Sequence, residues 1–116
     1  MPFDWNKYIE LGRSLSSKEE PEYMRAGISR AYYGIYNLLR IEVGITTRYK
    51  PHKELIEKLA KAEKYDDQTQ LSKLLEDLKQ DREKADYDGI HLIDKRYSTK
   101  FWIRLDKALE LYTDNR

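Results

Sequence analysis

Arg82, Asp86 and His91 are the residues whose types and spacing best suit chemistry. The apolar series Leu71, Leu75, Leu78 runs at helical spacing into Arg82 and then Ala85. A guanidinium therefore stands on a core stripe and must find acceptors or reach past the core edge. Asp86, four residues on, offers a carboxylate, and Asp81 precedes it. One reading makes Arg82 and Asp86 an ion pair that fixes packing. The other sets Arg82 in a cleft, where its planar fork of donors suits a phosphate. His91, nine residues after Arg82, can swing beside it and act as acid or base on the 2′-hydroxyl chemistry of RNA. A surface-loop histidine is the plainer reading. Arg82 and His91 are the catalytic candidates.

A second polar group sits upstream. Ser29-Arg30-Ala31-Tyr32-Tyr33-Gly34-Ile35-Tyr36-Asn37-Leu38-Leu39-Arg40 lies inside one long helical pattern. Ile28, Ala31, Ile35, Leu38 and Leu39 share one face, and Tyr32, Tyr36, Leu39 and Val43 make an adjoining stripe. Two adjoining apolar stripes imply a helix covered on most of its circumference. Yet it also carries Arg30, three tyrosine hydroxyls and Asn37, so its polar groups are satisfied internally or line a site. The expectation is that this segment faces residues 82–87. Arg30, Tyr32 and Tyr33 would then share a polar or RNA-binding cluster with Arg82, Asp86, Tyr87 and His52. His52 alone reads as a capping or packing residue in the first turn of a helix.

Five helices must position these groups. The first spans roughly residues 4–16, with Trp5, Tyr8, Ile9, Gly12 and Leu15 on one face, Asp4 as N-cap, and Phe3 with Tyr8 spaced as a hydrophobic staple. The second runs from Pro21 to about Val43 and stops at Gly44. Its Gly27 and Gly34, seven residues apart, suit the close approach of a neighbouring helix. The third starts at Pro51 and carries Leu55, Ile56, Leu59 and Ala62 inward. Asp66 or Asp67 caps the fourth, whose inward residues are Leu71, Leu74, Leu75, Leu78 and Ala85. Asp88-Gly89 ends it. The fifth begins after Ser98 or Thr99, with Phe101, Trp102, Leu105, Ala108, Leu109 and Tyr112 facing the core. The stretch 88–99 reads as a long packed connection carrying Ile90, Leu92, Ile93 and Tyr97. The fold class is thus all-α, a single up-and-down bundle over residues 1–116.

Composition narrows the function classes. At 116 residues one core buries about 65% of the unfolded chain's surface, enough to fold without staples. There are no cysteines, which fits a reducing compartment. No apolar run approaches the roughly 18 residues of a membrane span and no signal-peptide core opens the chain, so the reading is a soluble, cytoplasmic protein with no membrane partner. Lys and Arg total 22 against 21 Asp and Glu, a net charge of +1, less basic than a dedicated non-specific nucleic-acid binder. Ten tyrosines are many for this length, and tyrosine can be core and hydrogen-bonded at once or stack on a base. Neither His52 nor His91 belongs to a metal-ligand pattern, and no phosphate loop, nucleophile elbow or zinc-protease motif is present, so no metal or cofactor is expected.

Two motifs carry a resemblance. Ser29-Arg30-Ala31-Tyr32-Tyr33-Gly34-Ile35-Tyr36 resembles the S-R-A-Y-Y-A-x-F helix of HEPN-domain proteins. Arg82-Glu83-Lys84-Ala85-Asp86-Tyr87 resembles the R-x-x-A-D-Y signature of the same prokaryotic branch, and Pro51-His52-Lys53 the start of its third helix. The likeness covers roughly residues 4–112. It implies a helical bundle that often dimerises, so a homodimer is expected. It also implies a setting in RNA-directed toxin–antitoxin or phage-defence systems, with a minimal nucleotidyltransferase as partner. Catalytic members are similar to one another in an Arg-x(4–6)-His motif for metal-independent RNA cleavage across a dimer cleft. This chain departs from it: Arg82 and His91 have eight residues between them, Arg48 and His52 three. Two readings stand. The chain acts on or near RNA, or it is a non-catalytic dimerisation or adaptor module.

Overall fold

Glycine sets the close packing of the first two helices. The computed structural model describes residues 2–45, 50–61 and 68–114, which form five α-helices and no strand. These are α1 (Asn6–Ser16), α2 (Pro21–Val43), α3 (Pro51–Lys61), α4 (Gln68–Tyr87) and α5 (Lys95–Asp114). Helices α1 and α2 form an antiparallel hairpin. A β-carbon placed on Gly27 would lie 2.6 Å from the Gly12 carbonyl oxygen, and one on Gly34 would lie 2.5 Å from Ile9 Cγ1 and 3.0 Å from the Trp5 carbonyl. The two expected close-approach glycines are therefore where α1 backbone meets α2 backbone.

Helix ends follow the local chemistry of the chain. Asp4 Oδ1 accepts the Asn6 N–H at 3.0 Å, as an N-cap side chain does, and the Phe3 and Tyr8 rings meet at 5.3 Å. Helix α2 opens on Pro21 and closes at Gly44, whose φ of 76° is left-handed. The Gly44 N–H reaches the Ile41 carbonyl and the Ile45 N–H the Arg40 carbonyl, the paired bonds of a Schellman motif. Ile45, just past the cap, is buried. The expected Ala62 contact, the Asp66 or Asp67 cap and Arg48 lie outside the described residues.

The fifth helix begins a turn earlier than the spacing suggested. Asp94 Oδ1 accepts the Tyr97 N–H at 2.9 Å and the Asp94 carbonyl accepts the Ser98 N–H, so Asp94 is the cap. Ser98 is buried inside the helix and Thr99 Oγ1 donates back to the Lys95 carbonyl. Hydroxyl residues can satisfy themselves this way within a helix, so they are ambiguous start signals. The connection shrinks to residues 88–94. Only Ile93 of its aliphatic residues is buried; Ile90 and Leu92 stand in solvent, contrary to the packed connection expected.

The core joins Ile28, Ala31, Tyr32, Ile35 and Leu39 of α2 to Leu55 and Leu59 of α3, Leu71, Leu75 and Leu78 of α4, and Phe101, Leu105 and Ala108 of α5. Helix α2 touches every other helix. No helix among the described residues is long and apolar enough to cross a membrane.

Gly27→Ala tests the hairpin. Alanine gains about 1 kcal/mol of helix propensity, but overpacking against α1 backbone costs about 1–3 kcal/mol. Net destabilisation is expected in urea unfolding, while Gly89→Ala, where an added β-carbon meets nothing within 4 Å, leaves the midpoint unchanged. A Gly27→Ala midpoint at or above wild type would refute the close contact.

Candidate functional site

Three helices bring one arginine, one histidine and four tyrosines together. Tyr32 and Tyr33 share one turn of α2, Tyr36 lies on the next, and all three point to the side facing α3 and α4. The His52 ring, in the first turn of α3, stacks on Tyr36 with centroids 4.2 Å apart and planes 17° from parallel. It also lies parallel to Tyr32 at 5.7 Å, and Tyr33 stands edge-on to it at 6.4 Å. The Tyr32 hydroxyl is 2.7 Å from His52 Nδ1. From α4, the Arg82 guanidinium carbon sits 5.7 Å from the Tyr32 ring centre, 5.4 Å from that of Tyr33 and 5.7 Å from that of Tyr87. A cation over aromatic faces gains about 0.5–2 kcal/mol per ring as water is excluded.

Arg82 is 7% exposed. Asp86 Oδ2 lies 3.7 Å from its Nη1, close enough for charge attraction and too long for a hydrogen bond. The same carboxylate oxygen accepts the Ser29 hydroxyl at 3.2 Å. Arg82 Nε is buried and has no hydrogen-bond partner among the described residues. The site thus holds a buried cation with one donor, Nε–H, unspent.

These surroundings fix the protonation of its neighbours. Burial first, and then the Lys79 and Arg82 charges against a smaller opposing effect of Glu83, push the His52 pKa down to about 4. The imidazole is neutral at pH 7. Burial drives the Tyr32 phenol well above its ordinary range, with Arg82 pulling the other way, and burial raises Tyr36 too. Both stay neutral.

Of the expected cluster, the structure assembles Tyr32, Tyr33, His52, Arg82, Asp86 and Tyr87. Arg30 stands apart: it is exposed, with its guanidinium 5.6 Å from the Tyr8 ring on α1, because two residues before Tyr32 is about 200° around the helix. His91 is not the histidine beside Arg82. Its ring rests edge-on against Tyr97 at 5.1 Å, and Tyr97 belongs to a separate cluster on the α5 side of α4. There the Tyr97 hydroxyl donates to buried Asp81 Oδ1 at 2.5 Å and Arg104 Nη1 reaches Oδ2 at 3.2 Å. Burial and then the Asp81 hydrogen bond push the Tyr97 pKa well up.

Arg25 escaped the sequence reading. Its guanidinium donates to the carbonyls of Lys84, Ala85, Asp88 and His91, tying the C-terminus of α4 to the loop that follows. Asp88 Oδ1 in turn accepts the N–H groups of Ile90 and His91. No sequence signal marks this, since the acceptors are backbone atoms about 60 residues away. Tyr36, by contrast, was legible as the next turn of the Tyr32 stripe. Among the described residues no three His, Asp or Glu side chains gather as a metal site would need. Comparison of the chain with protein-family models, curated proteins and solved structures found no match.

A depressed histidine pKa makes stability depend on pH with a definite sign. The unfolded chain takes up the His52 proton below about 6.5, while the folded one resists until about 4. Stability therefore falls as pH drops through that window and is restored above it. At pH 5 the expected loss is about 1 kcal/mol, after discounting for the partial exposure of the ring. It is read as the difference in pH-dependent melting between wild type and His52→Gln. Identical profiles for the two proteins would contradict it.

Proposed function

We propose that the chain is a HEPN-like bundle that acts on or near RNA and holds a backbone phosphate at Arg82. The observation that carries this is the buried guanidinium, its Nε unpartnered and its nearest carboxylate beyond hydrogen-bonding distance. An unmet buried donor costs about 1–3 kcal/mol, a debt that a bound oxyanion cancels with charge-assisted bonds. Exposed Tyr87, beside the same cation, offers a ring on which a base can stack. The two motifs supply the class, and with it the setting: a cytoplasmic homodimer in a toxin–antitoxin or phage-defence system, paired with a minimal nucleotidyltransferase. Lost binding by Arg82→Gln, at least about tenfold or 1.4 kcal/mol, is expected in fluorescence anisotropy with labelled single-stranded RNA. The wild-type affinity should also fall as salt rises. Unchanged affinity in a folded Arg82→Gln variant would refute the role of Arg82.

A second reading, the non-catalytic dimerisation module, is favoured by a different observation. Ile90 is 99% exposed and Leu92 72%, on a loop tied down by Arg25 and Asp88, and Tyr87, the last residue of α4, is 78% exposed next to it. Apolar side chains presented without ordering cost suit a second copy of the chain. Light scattering should give a dimer for the wild type and a monomer for Ile90→Glu/Leu92→Glu. A dimer that survives both charges places the interface elsewhere.

A further inference from the structure

The bond between Tyr32 and His52 fixes where the imidazole proton sits. Tyr32 is wholly buried, and its hydroxyl lies 2.7 Å from His52 Nδ1. A buried neutral phenol has one proton and must place it on an acceptor. Nδ1 is the acceptor in reach. Were Nδ1 to carry the hydrogen instead, it would donate to the phenol oxygen and strand the phenol proton in the core. So Tyr32 donates, Nδ1 accepts, and the neutral ring carries its hydrogen on Nε2. The groups facing the ring hold it there. From α2 come Tyr32, Tyr33 and Tyr36, all ring contacts. From α4 come the cations Lys79 and Arg82, which oppose a second positive charge, and Glu83, whose opposing effect is smaller.

This arrangement decides between holding RNA and cutting it. A general base needs a free imidazole lone pair, and here Tyr32 occupies that of Nδ1 while Nε2 is protonated. A general acid needs the imidazolium, which burial and then the neighbouring cations disfavour. What remains is an N–H donor whose ring packs against Tyr32 and Tyr33, the same two rings that the Arg82 guanidinium meets. We propose that His52 is a fixed Nε2–H donor that joins Arg82 in a two-donor clamp for a phosphate oxygen, so that this site binds the RNA backbone without cleaving it. The clamp rests on the phosphate reading of Arg82; the tautomer does not.

Two measurements separate these. With nitrogen-15-labelled histidine, long-range NMR correlations should show His52 Nδ1 unprotonated and Nε2 protonated, unchanged between about pH 6 and 8. The opposite tautomer, or a titration inside that window, overturns the assignment whether or not RNA binds. In the second, a labelled single-stranded oligoribonucleotide is incubated with wild type, His52→Gln and His52→Ala. The glutamine amide supplies an N–H near the Nε2 position. Intact RNA is expected throughout, with affinity within about threefold of wild type for His52→Gln and at least about tenfold weaker for His52→Ala. RNA cleaved by wild type and spared by both variants overturns the proposal and makes His52 catalytic. Equal binding by all three removes His52 from the clamp. Failure of the wild type to bind RNA at all overturns the clamp together with the phosphate reading, and leaves the NMR result to judge the tautomer alone.

Discussion

Helix α2 has almost no face left for water in its central turns, and the other elements take their places from that. Two glycines on one side admit α1 to backbone contact. Aliphatic residues on the next side build the common core. The tyrosine side cannot be closed by aliphatic packing alone, because buried phenol hydroxyls need partners. Tyr32 takes its partner from the first turn of α3, which makes a histidine there part of the solution to burying α2. The site is thus a consequence of how the central helix is covered, rather than a cleft added to a finished bundle.

Arg82 is held in an unusual way for a cation so deep. A guanidinium paired by two short carboxylate bonds would have its donors spent and its charge cancelled. Here one carboxylate stands at 3.7 Å and three tyrosine rings lie around the cation. Rings stabilise positive charge while accepting none of its hydrogen bonds. The charge is made tolerable while Nε–H is left without a partner. Burial, aided by the same field, keeps His52 uncharged, so the positive potential of the site comes from Arg82 and Lys79 and does not vary around neutral pH.

Much of the fold was legible because its signals are local. Pro21 and Gly44 mark the ends of α2 through fixed φ and left-handed φ, properties of single residues. The inward series Leu71, Leu75, Leu78, Arg82 and Ala85 follows from the helical period, and all five are buried. Reading Asp86 as a neighbour of Arg82 needed only a spacing of four. The failures came where partners are set by three-dimensional placement. His91 was nearer than His52 to Arg82 along the chain, yet the Asp88 turn and Tyr97 carry it to the far side of α4. The helix start at Asp94 lost to Ser98 and Thr99 because all three are acceptable caps in isolation, and burial of Ser98 decides among them. Arg25 was invisible because backbone carbonyls have no residue identity.

Asp81 and Arg82 are consecutive, both at least nine-tenths buried, and about 100° apart around α4. They do not pair with each other. Asp81 turns to α5, where Tyr97 and Arg104 meet it, and Arg82 turns to α2, where the Tyr32 and Tyr33 rings receive it, with Asp86 one turn on along α4. Opposite charges on two sides of one helix lock its rotation. Turning α4 by one residue in one sense would present Asp81 to the tyrosine rings, whose faces repel an anion, and turning it in the other sense would present Arg82 to Arg104. A purely apolar α4 would tolerate such a slip far better, since leucine can repack against leucine. Buried charge here fixes the orientation of the helix more than it adds to stability. That orientation places Arg82 against Tyr32 and beside the histidine which Tyr32 holds, so the geometry of the site is set by a residue, Asp81, that takes no part in it.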